Sequence, residues 1–265
     1  MTYFGFLARF LLIPMGIMAI LLWRDRGRAI GLPANLRNFP GWAVILVHVA
    51  VAVIYTTPWD NYLVATAVWW YDPALVTGVT LGWVPIEEYT FFVLQTLLTG
   101  MWLLWLAPRL ARRSTWQPSA RVRWIATAVA GLIWLPMPFL LFGQVTPATY
   151  LALILVWAIP PIALQLAFGA DILWRYRRLV ATTILVPFLF LSAADTLAIS
   201  AGTWSISPEQ TLGIYLFGGL PLEEALFFLV TNVLIGFGAT LALAEESRTR
   251  LDWMLSRLPA RREAR

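Results

Sequence analysis

The sequence predicts an all-α membrane protein. It reads as a polytopic bundle of about seven transmembrane helices, built as two parallel three-helix repeats joined by a linker helix. Three observations carry this. Hydrophobic residues make up 60% of the chain and charged residues 12%, about half the charge of a soluble domain, and the apolar stretches approach the ~20 residues that cross a bilayer. The basic residues, all of them Arg, fall in every second link between those stretches. Finally, the octet Pro85-Ile86-Glu87-Glu88-Tyr89-Thr90-Phe91-Phe92 recurs 136 residues later as Pro221-Leu222-Glu223-Glu224-Ala225-Leu226-Phe227-Phe228.

Taken in order, residues 3–23 form the first helix. It lacks a basic region before it and a small-residue cleavage site after it, so it reads as a retained span, not a signal peptide. Arg24, Asp25, Arg26, Arg28 and Arg37 follow. Residues 41–57 form the second helix, closed by Pro58-Trp59-Asp60. The loop 61–83 is unusually apolar, with Trp69, Trp70, Tyr71 and Asp72-Pro73, and is expected at the interface or dipping into the bilayer. Pro85 suits the first turn of the third helix, where its missing N–H costs nothing. That helix runs to about residue 106 and is followed by Arg109, Arg112, Arg113, Arg121 and Arg123. Residues 124–142 form the fourth helix, and an uncharged link, 143–147, leads to the fifth, 149–174. There Pro160-Pro161 predicts a kink. Arg175, Arg177 and Arg178 precede the sixth helix, 179–194, which ends at Asp195. A second semi-apolar loop with Trp204, Ser207-Pro208 and Glu209 leads to the seventh, 221–244. A charged, helix-compatible tail, 245–265, closes the chain.

Arginines follow helices 1, 3, 5 and 7 and are absent after 2, 4 and 6. The positive-inside rule then sets a multi-pass protein of the cell membrane, N-terminus outside and C-terminus cytoplasmic. The net charge of +5 is therefore an orientation signal and not a nucleic-acid face. The repeat reaches beyond the octet: Asp60 and Trp69 are matched by Asp195 and Trp204, and Gly78 by Gly213. Residues 1–107 and 148–244 read as the two copies, with 108–147 holding the linker helix, which restores a parallel orientation between them.

Carboxylates at a membrane span are expensive and mark function by default. Against this stands simple helix capping, worth ~0.3–1 kcal/mol per first-turn acid. Helical phase favours function for one member of each pair. Glu88 lies seven residues before Gln95, and Glu224 seven before Thr231, so each sits on a polar stripe of an apolar helix. Glu87 and Glu223 are turned ~100° away and read as supporting acids. A carboxyl group held out of water beside a second one keeps its proton and can donate it inside an apolar site. Asp60 and Asp195 are third members of each cluster, or else helix-end residues at the interface. Most of the 15 Trp belong to an interfacial belt, but Trp69, Trp204, Phe91, Phe92, Phe227 and Phe228 recur beside the acids, where aromatic faces stabilise cations. His48, the single histidine, reads as an interhelical hydrogen bonder ahead of a catalyst. Arg9, inside helix 1, reads as a structural ion pair with an outer carboxylate, or snorkels. There is no Cys, no dinucleotide or phosphate loop, and no aspartate-rich cluster for Mg²⁺. With no cofactor or metal implied, the chemistry is redox-neutral acid–base work on an apolar substrate.

Asp60-Asn61-Tyr62 with Trp69 to Pro73, then the octet through Gln95, resembles the integral, flavin-free lycopene cyclase domain. Asp195, Trp204 and the second octet through Asn232 resemble its partner copy. In that family the two units occur fused or as separate subunits, and the chain stops short of the phytoene synthase half of the fungal fusions. The resemblance implies a carotenoid substrate, lycopene, drawn from the bilayer among membrane lipids, with contact to other carotenoid-pathway enzymes and none to nucleic acid. It implies conversion of ψ-ends to β-rings, giving γ- and β-carotene, by an intramolecular lyase-type isomerase. Glu88 or Glu224 would donate the proton, a neighbouring acid would take one back, and aromatics, with Gln95 and Asn232, would line the cation. Ser207 stands where the first copy has Asp72, so the copies are not equivalent. Relatives that close C50 carotenoids or ε-rings are the nearest rival. A small proton-coupled transporter is the rival from another class, although transporters break helices near midplane, whereas these acids sit at helix starts. A prenyltransferase lacks its metal-binding aspartates here.

Overall fold

The computed structural model describes residues 1–111 and 116–256; Arg112, Arg113 and the tail beyond Ser256 lie outside the described residues. Seven helices there are long and apolar enough to span a membrane: α1 (Tyr3–Gly27), α2 (Gly41–Ala65), α3 (Ile86–Leu110), α4 (Ala120–Phe142), α5 (Thr149–Arg175), α6 (Arg177–Ser200) and α7 (Leu222–Leu243). A short helix, α8 (Glu245–Ser256), follows. The protein is thus an all-α, multi-pass membrane protein.

Helices α3 and α7 are central. In their most apolar stretches 61% and 56% of residues are buried, against 11% in α4, which lies at the edge and packs on α5. Hydrocarbon leaves polar side chains no partner but one another, and the polar stripes of α3 and α7 accordingly meet. Gln95 Nε2 donates to Thr231 Oγ1 at 2.9 Å, and Thr99 Oγ1 to Asn232 Oδ1 at 2.8 Å.

Four local expectations change. Helix α2 runs through Pro58 to Ala65 and α6 runs past Asp195 to Ser200, so both aspartates lie within helices. Pro85 and Pro221 are the caps before α3 and α7, with extended ψ of 151° and 142°. In α5 the non-helical dihedrals fall at Gly169 (φ −151°, ψ 28°), not at Pro160-Pro161. The carbonyls those prolines leave free are taken from outside: Trp134 Nε1 donates to Val156 O at 3.4 Å and the Tyr55 hydroxyl to Trp157 O at 2.8 Å. At Gly169 a Cβ would strike Leu241 of α7, so the chain turns where the two helices come closest.

The two apolar loops are structured. β1 (Trp69–Tyr71) pairs antiparallel with β4 (Trp204–Ile206), and β2 (Thr80–Leu81) with β3 (Val84–Pro85). Strands this short leave no periodic signal in sequence. The β1–β4 register is Trp69↔Ile206, Trp70↔Ser205, Tyr71↔Trp204, so positions 135 apart trade places about the central pair. Gly82 and Gly218 hold the approaches to α3 and α7 at φ +69° and +65°, where a Cβ would also run into Asn61 and Thr196 respectively.

Candidate active site

The extended caps Pro85 and Pro221 aim the first turns of α3 and α7 inward, so all four glutamates are buried. The two members of each pair then diverge, as their ~100° separation requires. Glu87 Oε1 accepts the backbone N–H of Thr77 at 2.6 Å, and Glu223 Oε1 that of Leu212 at 2.7 Å. These acids pin the loops to the helix starts. Glu88 and Glu224 point the other way and accept phenols. The hydroxyls of Tyr3 and Tyr71 both donate to Glu88 Oε2, at 2.5 and 2.9 Å. Tyr150 donates to Glu224 Oε1 at 2.6 Å.

Glu88 and Glu224 line one cavity of about 40 Å³, shared with Asp195 and walled by Trp69, Phe91, Trp204, Phe227 and Phe228. That is room for a few water-sized groups. Among the described residues no arginine borders the cavity. Arg9 forms no ion pair there among the described residues, against the first of its two readings. It is exposed and its Nη1 meets Met1 Sδ at 3.1 Å, since α1 turns that face outward.

The two halves cross over at this cavity. Trp204 packs on Tyr3 and Phe6 of α1 (4.8 and 5.0 Å between ring centroids), and Trp69 meets Tyr150 of α5 edge-on at 5.4 Å. Trp204 Nε1 donates to Asp195 Oδ1 at 2.9 Å. Trp69 makes no matching bond: its Nε1 and both oxygens of Asp60 have no hydrogen-bond partner among the described residues. Tyr71 lies in the loop, and its phenol pKa is raised well above the ordinary value, first by burial and then by the charges of Glu88 and Asp60.

Of the residues singled out in sequence, Glu88, Glu224, Asp195, Trp69, Phe91, Trp204, Phe227 and Phe228 come together around the cavity. Glu87 and Glu223 stand behind it, and Asp60 is not part of its wall. Phe92 and Gln95 face a neighbouring groove. Asn232 is committed at both ends, accepting from Thr99 and donating to Phe228 O at 2.8 Å. His48 is remote from the acids, with Nδ1 against Val44 O at 2.7 Å. Sequence reasoning missed the phenols. A signal existed for two of them: Tyr3 precedes Pro14 by the same interval as Tyr150 precedes Pro161.

The family model described as lycopene cyclase matches residues 2–106 and 147–240. A lycopene beta-cyclase of Halobacterium salinarum is 41% identical over 231 residues, covering 87% of this chain and 90% of that protein. Bifunctional lycopene cyclase/phytoene synthases are 39% identical in Phaeosphaeria nodorum and 37% in Gibberella fujikuroi; each alignment covers 85% of this chain but only 38% and 37% of the fungal protein. No solved structure matches. The matched stretches hold both carboxylate pairs, Trp69 and Trp204, and the three phenols that donate to Glu88 and Glu224, and on that evidence the chain belongs to the lycopene cyclase family.

Proposed function

We propose that this protein is a lycopene beta-cyclase that closes the ψ-ends of lycopene at one composite site shared by its two halves. The observation that carries the reading is the aromatic cavity faced by Glu88, Glu224 and Asp195, with no arginine among the described residues to neutralise them. A proton added to the terminal double bond of a ψ-end makes a tertiary cation. The neighbouring double bond attacks it, the new carbon–carbon bond closes a six-membered ring, and the charge moves to a ring carbon. Loss of the adjacent ring proton restores a double bond, so the product is an isomer of the substrate and no electron is exchanged. Glu88 and Glu224 serve as giver and receiver of the proton. The phenols occupy one oxygen of each, leaving the other to act, and Asp195 Oδ2, without a partner among the described residues, is the auxiliary base. The rings of Trp69, Trp204 and Phe227 shield the cation and offer it their π faces. Glu87 and Glu223 position the loops, Asp60 holds its place behind Glu88, and Gln95 and Asn232 tie the central helices.

Two further parts of the reading rest on the same geometry. Residues 1–107 and 148–244 are copies related by a two-fold axis near the Trp70–Ser205 pair, a relation supported by the β1–β4 register. The site faces the outer side, with the C-terminus cytoplasmic. The ion pairs Arg109–Asp25, Arg175–Glu246 and Arg250–Asp171 support this, as they cluster at the opposite helix ends. Lycopene arrives laterally from the lipid. The test is cyclisation in D₂O by purified protein in lipid vesicles: each ring formed should carry one deuterium, with no flavin, nicotinamide or metal added. Rings formed without deuterium, or only with an added reductant, would overturn the mechanism.

A further inference from the structure

A groove of about 220 Å³ runs down beside the site between α2, α5 and α7, with Phe92, Gln95 and Thr96 of α3 at its back. It shares Phe227 with the carboxylate cavity. Its lip, Val47 and Val51, is exposed, so it opens sideways toward lipid. Along α7 it passes Leu234 and ends at Ile235, about 16 Å below Glu224 at 1.5 Å per residue and one turn short of Gly238. At Gly238 the helix has no side chain, and the His48 ring and Gln165 amide sink against its backbone; a Cβ there would collide with both.

The proposed two-fold relation supplies an internal control. The mirrored position holds a pocket of about 180 Å³ between α1, α3 and α6, lined by Pro14, Met18, Leu98, Val186 and Phe190 among others. It shares no residue with the carboxylate cavity. Where α7 has Gly238, α3 has Trp102, whose indole lies in that pocket and donates to Thr182 O at 3.1 Å. One face is a groove that shares a wall residue with the cavity of the acids; the other is a pocket that shares none and has an indole in its wall.

We infer that the groove between α2, α5 and α7, and not its mirror, seats the unreacted polyene remainder of the substrate, so that ψ-ends reach the shared site from one side only. The inference rests on the cyclase reading. Its occupant is a linear conjugated hydrocarbon: the groove is apolar along the lip, elongated along α7 from Phe227 to Ile235, and adjoins at Phe227 the cavity where the end group reacts. A product with one ring must leave and re-enter with its other end to receive a second.

The experiment compares Val51→Trp with Val186→Trp, equivalent lipid-facing positions 135 residues apart, each assayed in lipid vesicles on lycopene and on a truncated apo-carotenoid keeping one ψ-end. Val51→Trp should lower lycopene turnover by about tenfold or more and leave the short substrate within about twofold. Val186→Trp should leave both within about twofold. Equal losses from the two variants, or a Val51→Trp loss as large on the short substrate as on lycopene, would overturn the groove assignment while leaving the site intact. Wild-type protein that cyclises neither substrate would overturn the cyclase reading instead.

Discussion

Replacing Glu88 or Glu224 by Gln separates chemistry from folding at the proposed site. Gln keeps an amide oxygen for the phenols, so the contacts of Tyr3 and Tyr71 with Glu88 (2.5 and 2.9 Å) and of Tyr150 with Glu224 (2.6 Å) retain an acceptor. The cost to stability is that of weakening one or two hydrogen bonds, about 0.5–1.5 kcal/mol each. The proton is lost outright. General acid–base catalysis by one positioned group contributes about 10²–10⁴-fold, equivalent to ~3–5 kcal/mol of barrier. Because both acids face the same cavity, each single variant should lose that much ring formation, while inserting and purifying like the parent. Two independent sites would behave differently: each variant would then retain about half of the parental rate. The assay is initial rates of ring formation from lycopene in vesicles, resolved by chromatography. Either variant keeping a third or more of the parental rate would refute the composite site.

Other outcomes follow from named contacts. Tyr150→Phe leaves Glu224 without its hydroxyl donor and should slow ring formation more than Tyr71→Phe, because Glu88 keeps Tyr3 when Tyr71 is lost; equal rates for the two would break the argument. Arg250 grips Asp171 with both guanidinium nitrogens (2.8 and 2.6 Å) at a buried contact, so Arg250→Met should destabilise by about 3–5 kcal/mol; a thermal midpoint unchanged in detergent would contradict this. The phenol of Tyr176, between α5 and α6, is pushed up to about 12 by burial and then by the Glu246 charge. Its contribution to stability is whole below the unfolded value near 10 and is lost as pH climbs to about 12. Unfolding at stepped alkaline pH should show that slope in the parent and a shallower one in Tyr176→Phe.

What the sequence disclosed and what it hid divide along physical lines. Seven spans, the paired acids and the inward stripe of Glu88 and Gln95 were legible because hydropathy and the 3.6-residue period are local properties. Even there, Pro58 misled: a proline inside a span reads as an end, yet the helix continues through it to Ala65. The phenols were hidden because Tyr3 and Glu88 are 85 residues apart, and only packing brings them together. The strands were hidden by their length. The groove was hidden for a further reason: two of its wall residues, His48 and Gln165, sit where Gly238 lacks a side chain, and a single glycine in an apolar helix carries no signal until they are seen resting on it.

The crossing of the halves also bears on how such a protein can be divided. Tyr3 donates to Glu88 and stacks on Tyr71 within the first half, but the ring nearest to it is Trp204 from the second, tilted against it at 4.8 Å. Tyr150 likewise serves Glu224, while Trp69 of the first half meets it edge-on. Among the described residues, strands β1 and β4 pair with each other alone. A first half alone would thus keep its acid and its phenols and lose the wall that excludes water, together with the opposing acid. Expressed separately in one membrane, residues 1–107 and 148–256 should each form no ring and together should restore ring formation, since the interface between them is the site. Activity from either half alone would show that one acid, with its own phenols, suffices.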